Sequence, residues 1–310
     1  MAGGTVSLTR FEDIAPRAWE HPSDRAALEA LRAVPGFDRL VASTLGRVNE
    51  WTIRRRMLQD AAEVTPASHP RLWEVYQEVL WALDAPMTWP LYARPMGGLN
   101  AAAVGMDSPF IVISAEAEAQ VALDDVTVVL AHEVGHILSG HILYKTMLRT
   151  ALAFGWASVA IPASMAVAGG VGLALLEWDR RSELSADRAS ALVMGGAGPV
   201  VATLRKFSAA DAGRWDRPMP LPPALDTALR SAARRAERAL SRHPPADLRI
   251  ASLREWVGSD AWSAILRGEY PRRTDQRVVE LALSGQPLET LRAGLAEAVG
   301  PLYRVFLGER

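Results

Sequence analysis

Two short stretches of this 310-residue chain carry residue types that do chemistry. "LAHEVGHILSGH" (130–141) holds His132, Glu133 and His136, and "RRSELSADRA" (180–189) holds Glu183 and Asp187. In a helix, residues four apart stand one turn above each other on one face. His132 and His136 can therefore aim two imidazole nitrogens at one point, with Glu133 beside them. A catalytic zinc ion takes three protein ligands and keeps one position open, which lowers the pKa of water bound there to about 7. Glu133 is then the expected general base, taking the water's proton and passing it to the leaving amine.

The third ligand must come from elsewhere, because no further His follows closely on this face. His141 lies nine residues after His132, half a helical circumference away, and reads as structural. A carboxylate from another helix is needed, and Glu183 is the best candidate. Asp187, one turn on, is placed to accept a hydrogen bond from the far nitrogen of a ligand His, which fixes the tautomer and raises ligand basicity. The bland alternative is an acidic helix face paired with Arg180, Arg181 and Arg188.

The elements that must position these residues read as mostly helical. "HPRLWEVYQEVLWALDAP" puts Leu72, Val75, Tyr76, Val79, Leu80 and Leu83 on one face. "HPSDRAALEALRAVPG" offers Ser23 as a cap and Pro35-Gly36 as a stop. His21 and His69 precede prolines at helix starts. Residues 89–114, with Gly and Pro around short apolar runs, suggest a small sheet or hairpin. Helix resumes at Asp124-Asp125 and is expected to run to about Tyr144, and a second helix carries Glu183 and stops near Gly195-Gly196. Four prolines make 211–226 loop-like; a basic helix, "TALRSAARRAERALSR", and further amphipathic helices follow.

Composition narrows the class. There is no cysteine, so disulfides and thiolate zinc sites are excluded and any zinc rests on His and carboxylates. A net charge of −1 gives nucleic acid no bulk attraction. Lys145 and Lys206 are the only lysines. The N-terminal stretch lacks a basic region followed by an apolar core, so no signal peptide is expected and a cytoplasmic location is. Between Arg149 and Glu177 there is no charge at all. A single complete crossing of a bilayer there would put the two motifs on opposite sides, and about 27 residues are too few for two crossings of ~20 each. A short hairpin remains, broken near Pro162 or Gly169-Gly170. Whether it enters a membrane from the cytoplasmic face or is covered by protein stays open.

Taken together, HEVGH, the later Arg180, Glu183, Ala186 and Asp187, and "HPPADLRI" resemble the HtpX-like and CAAX-prenyl-protease family of zinc metallopeptidases. The resemblance covers about residues 90–255. It implies a gluzincin site in which two His and a Glu hold the metal. "LNAAAVG" and "FIVIS" resemble the family's Asn-Ala segment and the edge strand that pairs with substrate backbone, which implies substrate contacts at Asn100, Ala101 and Ile113. The "HP…R" segment implies that His243 and Arg249 help the transition state. Independently, His243 before Pro244-Pro245 is held extended, so a loop could aim it at the oxyanion or at the open zinc position. The chain departs from the family pattern at Asp179, where a Ser is usual, and at Ala102, where an aromatic is common.

The expected fold is α+β and mostly helical, of the gluzincin type, with a small sheet and an apolar helical hairpin. The expected division is an N-terminal helical region (1–88) packed on the core, a zinc metallopeptidase core (89–255, hairpin about 150–177) and C-terminal helices (256–310). The expected activity is zinc-dependent cleavage within protein or peptide substrates, with one Zn2+ per chain. One rival is a non-catalytic zinc-containing scaffold or membrane adaptor; another is a peptidase limited to short peptides. Intact Glu133 argues against the first, since a structural site has no use for a base beside an open position.

Overall fold

Burial of the amphipathic face predicted near residue 72 organises the N-terminal third. The computed structural model describes residues 8–32, 50–96, 99–105, 108–154, 166–210 and 244–275. Its elements are α1 (Pro22–Arg32), α2 (Glu50–Met57), β1 (Ala62–Glu63), α3 (Pro70–Ala82), β2 (Leu91–Arg94), β3 (Ala101–Val104), β4 (Phe110–Ser114), α4 (Ala117–Gln120), α5 (Leu123–Leu138), α6 (Ile142–Phe154), α7 (Ala166–Val193), α8 (Ala197–Ala210), α9 (Ala246–Val257) and α10 (Asp260–Leu266). On α3 the six expected residues, Leu72 to Leu83, are all buried. Each such side chain contributes on the order of 1.5–3 kcal/mol, and the Tyr76 hydroxyl avoids a burial penalty by donating to Trp89 O at 2.9 Å.

The 89–114 region forms a sheet with strand order β1-β2-β4-β3. β2 and β4 run parallel; the outer pairs are antiparallel. All five β4 residues are buried. Ile111 and Ile113 face the main core, while Phe110 and Val112 face a second cluster with Ile53 of α2, so both faces of the strand are covered and its apolar run is continuous. This corrects the expectation for Ile113. Its strand is interior, Ile113 pairs with both Ala93 and Ala101, and its side chain is fully buried, so it has no backbone edge to offer a substrate. The edge strands of this sheet are β1 and β3, and β3 is the one beside Glu133.

α5 is buried along most of its length and ends earlier than its apolar pattern suggests. Ser139 closes it, Gly140 turns the chain at φ +70°, and α6 leaves at 99° to α5. A residue with a Cβ is strained at that φ, so the helix stops there and does not reach Tyr144. Gly135 lets α7 approach closely: a Cβ at this position would stand 2.7 Å from that of Ala189. At its far end α7 stops at Val193, and Gly195 takes φ +70° as expected of a C-cap. At the start of α1 the cap is His21, not Ser23: His21 Nδ1 accepts from the Ser23 backbone N–H at 3.1 Å. One hydrophobic cluster takes in residues from Phe11 to Ile265, so N-terminal, central and C-terminal stretches share a core.

α6 and α7 flank the uncharged stretch. Among the described residues no single helix is long and apolar enough to cross a membrane; α5 with Ile142–Arg149 has the length and composition but is sharply bent. The Pro35-Gly36 stop, the centre of the apolar hairpin, the proline-rich loop, the basic helix, His243 and residues 276–310 lie outside the described residues.

Candidate metal centre

α5 and α7 cross where Gly135 meets Ala186 and Ala189, and this contact sets the distance between the two motifs. One ligand atom from each of His132, His136 and Glu183 lies within 4.8 Å of the other two. His132 Nε2 is 3.2 Å from Glu183 Oε2, and His136 Nε2 is 3.2 Å from Glu183 Oε1. His136 and Glu183 are almost fully buried; the His132 side chain is 12% exposed, so the cluster opens on that side.

Each imidazole is held from behind by a different set of groups. His132 Nδ1 is 3.2 Å from Asp187 Oδ1, and Asp187 receives a bidentate pair from Arg249 of α9, Nε at 2.8 Å and Nη2 at 2.6 Å. His136 Nδ1 lies 2.9 Å from His141 Nδ1, and His141 Nε2 lies 3.0 Å from Asp24 Oδ2 of α1. Ser185 donates to the same Asp24 oxygen at 2.5 Å. With both motif His neutral, one assignment of protons satisfies both chains: Nδ1–H on each, with Nε2 left as lone-pair donor toward the centre. His141 then accepts at Nδ1 and donates from Nε2 to Asp24.

Glu183 has cations on both sides. Lys145 of α6 donates to its Oε1 at 2.8 Å, and Arg249 Nη1 is 3.8 Å from its Oε2. Lys145 also donates to Asp179 Oδ1 at 2.5 Å and to Ser182 Oγ at 3.3 Å. Glu133 turns the other way, toward the sheet, where its Oε2 accepts from the Ala103 N–H of β3 at 2.6 Å. Ala103 O accepts from Arg149 Nη1 at 2.8 Å.

These surroundings push the two histidines in opposite directions. Burial by itself would lower His132, but the charge of Glu183 and the hydrogen bond to Asp187 outweigh it and raise the group to about 9. For His136, burial together with the positive charge of Lys145 wins, holding it well below its ordinary value. Burial would raise the Asp187 carboxyl, and Arg249 more than cancels that, keeping it low. Lys145 is desolvated, yet Asp179 and Glu183 raise it and keep it charged.

The structure thus brings His132, Glu133, His136, Glu183, Asp187 and Arg249 together, with β3 carrying Ala101 alongside. The Arg249 fork is spent on Asp187, which makes it first a partner of that carboxylate. Arg180 and Arg181 pair with Glu177, and Arg188 reaches Glu20 O and the Trp256 ring, while Glu183 is buried instead of lying on a surface face. Asn100 stands at the start of β3, its backbone N–H donating to Ser114 Oγ. Three residues were missed: Asp24, His141 and Lys145. His141 was judged on a helix that ends before reaching it. Lys145 carried a readable signal, an isolated lysine among apolar residues in "HILYKTML".

The helical body, the small mixed sheet and a His-His-Glu cluster that could hold a metal ion on two crossing helices suit a metallopeptidase. Comparison with known proteins makes the assignment specific: the sequence model of peptidase family M48 matches residues 66–257, and the chain belongs to that family. It is also 27% identical, over 285 residues, to the plastoglobule-localized metallopeptidase 48, chloroplastic, of Arabidopsis thaliana, covering 86% of this chain and 80% of that protein. No solved structure matches the chain.

Proposed function

We propose that this M48 peptidase is a zinc-dependent endopeptidase in which His132, His136 and Glu183 hold one zinc ion. The donor set supports the reading. Two imidazole nitrogens and a carboxylate converge within 4.8 Å, and two His with one Glu is a recurrent catalytic zinc set. Zinc, when bound, supplies a Lewis acid for the scissile carbonyl and lowers the pKa of water at its open position. Glu133 takes a proton from the attacking water and delivers it to the leaving nitrogen as the C–N bond breaks, leaving a carboxylate and an amine. Asp187, fixed by Arg249, orients His132. His243, immediately before Pro244 in sequence, is the group assigned to the oxyanion, with Arg249 acting through Asp187.

Substrate pairs with the outer edge of β3, displacing Glu133 and Arg149 from the Ala103 backbone. Because Asn100 O takes its ladder bond from Ser114 N, the N–H and C=O of Ala101 and Ala103 face away from β4 in the alternating antiparallel pattern. The hydrogen bond from Ala103 N–H to Glu133 Oε2 is the single observation that carries this reading: it ties the edge that would receive a peptide to the base that would act on it. An unfolded protein incubated with wild type and with Glu133→Gln tests it. Internal cuts by wild type alone, with zinc retained in both, support an endopeptidase; trimming confined to chain ends refutes that part of the reading.

We further infer that the uncharged stretch between Arg149 and Glu177 meets a lipid surface. Its lack of charge and the plastoglobule in the name of the Arabidopsis relative support this. Co-sedimentation with phospholipid vesicles, lost when residues 155–165 are replaced by a Gly/Ser linker, is the expected result; sedimentation unaffected by the replacement contradicts it.

A further inference from the structure

The buried ion pair between Lys145 and Asp179 has no part in the peptidase reading so far. Both side chains are almost fully buried, 3% and 1% exposed. An apolar pair of similar volume would hold the fold as well or better, because desolvating two charges offsets most of their attraction. Stability is therefore a poor reason for this pair, and its position gives a better one. Lys145 Nζ has three N–H groups and three acceptors in reach: Asp179 Oδ1, Ser182 Oγ and Glu183 Oε1. Ser182 is itself fixed, donating to Asp179 O at 2.7 Å. Two of the three acceptors thus anchor the ammonium, and the third is a carboxylate oxygen of the proposed ligand.

We propose that Lys145 is a positioning residue that grips Glu183 by Oε1, so that the carboxylate meets the ion through Oε2 alone. The proposal rests on Glu183 being a zinc ligand. An oxygen that already accepts a charge-assisted hydrogen bond at 2.8 Å has less electron density and less freedom to turn toward a cation. Oε1 lies 3.2 Å from His136 Nε2 and Oε2 lies 3.2 Å from His132 Nε2, so both oxygens border the centre and the Lys145 hydrogen bond is what sets them apart. A carboxylate held to one oxygen keeps the site at three protein donor atoms, with a position open for water. Released, it can offer both oxygens and crowd that position. Asp179 acts at one remove by anchoring Lys145, and α6 becomes part of the metal centre although it carries no ligand.

The test replaces both members of the pair, Lys145→Met with Asp179→Leu, so that no lone charge is left buried. Cobalt(II) is loaded into the metal-free chain, its visible spectrum recorded, and zinc affinity measured by competition with a chromophoric chelator. Wild type is expected to give the strong absorption of four-coordinate cobalt. The double variant is expected to give the weaker bands of a five-coordinate ion and a zinc affinity about 10–100-fold lower, the range seen when groups behind metal ligands are removed. Asp179→Asn, which keeps the ammonium and loosens only its anchor, shifts the spectrum the same way by less, and provides the reading if the double variant does not fold. Spectra and affinities matching wild type within twofold overturn the proposal. If wild type binds no cobalt, or binds it equally well after Glu183→Gln, the ligand assignment itself has failed, a result distinct from failure of the Lys145 role.

Discussion

The two histidines of one helix turn sit in opposite settings. His132 is backed by Asp187, itself held by the Arg249 guanidinium of α9, and the charge of Glu183 with the hydrogen bond to Asp187 raises the imidazole to about 9. His136 is backed by a second imidazole, His141, and then Asp24 of α1, while the Lys145 ammonium nearby helps hold it well below its ordinary value. The first setting joins α9 to the site; the second joins α1. Spacing within HEVGH makes the two histidines look equivalent, and the rest of the chain makes them unequal. The difference teaches that the motif defines the donors, while three distant segments fix the tautomer and charge with which each arrives.

Breaking the His132 side has the largest expected effect. Asp187→Ala leaves Arg249 buried without its partner and costs about 3–5 kcal/mol in urea unfolding of the metal-free chain. Adding Arg249→Met restores most of that stability but not zinc affinity, which stays about 10–100-fold down; recovery of both would mean that the carboxylate has no hold on His132. His141→Leu breaks the other side. It removes the acceptor for His136 Nδ1–H and one partner of Asp24, for about 1–3 kcal/mol of stability and roughly a tenfold loss of zinc affinity. Unchanged zinc affinity would reduce His141 to a packing residue.

Gly135→Ala acts on both sides at once. The new Cβ meets that of Ala189 at 2.7 Å, a stub that cannot rotate away, so α5 and α7 must separate. Overpacking of this kind costs about 1–3 kcal/mol and moves Glu183 away from both imidazoles, which a chelator competition reads as weaker zinc binding.

The smallest effect sharpens the His136 side. Burial, with Arg188 and Arg181 adding to it, holds His21 at about 4, below its ordinary 6.5. The folded chain therefore binds fewer protons here than the unfolded one between these values. The contribution of His21 is fully present above pH 6.5 and is lost as pH falls through about 4. His21→Asn keeps a capping acceptor for α1 and should flatten this part of the stability profile by up to about 1 kcal/mol, discounted for partial exposure. An unaltered slope between pH 6.5 and 4 would show that His21 is not the group responsible.

Much of the site was legible because it obeys local rules. The i, i+4 spacing of His132 and His136, the same spacing of Glu183 and Asp187, and the apolar stripe from Leu72 to Leu83 are periodicities that survive without tertiary information. What could not be read depended on contacts across 34 to 117 positions of sequence: Lys145 finding Asp179 and Glu183, and His141 finding Asp24. The helix break at Gly140 was hidden because apolar residues continue through it, and that one turn swings both His141 and Lys145 onto the centre. Ile113 was misplaced for a topological reason. The chain returns from β3 to insert β4 beside β2, so the last strand in sequence is an inner one.

In the proposed function, two crossing helices hold one zinc ion through His132, His136 and Glu183. Zinc per chain, measured on wild type and on Glu183→Ala after dialysis against a weak chelator, tests it most directly. Close to one zinc is expected for wild type and almost none for the variant. Zinc retained at the same level in Glu183→Ala, or absent from a folded wild-type chain supplied with the metal, would contradict it.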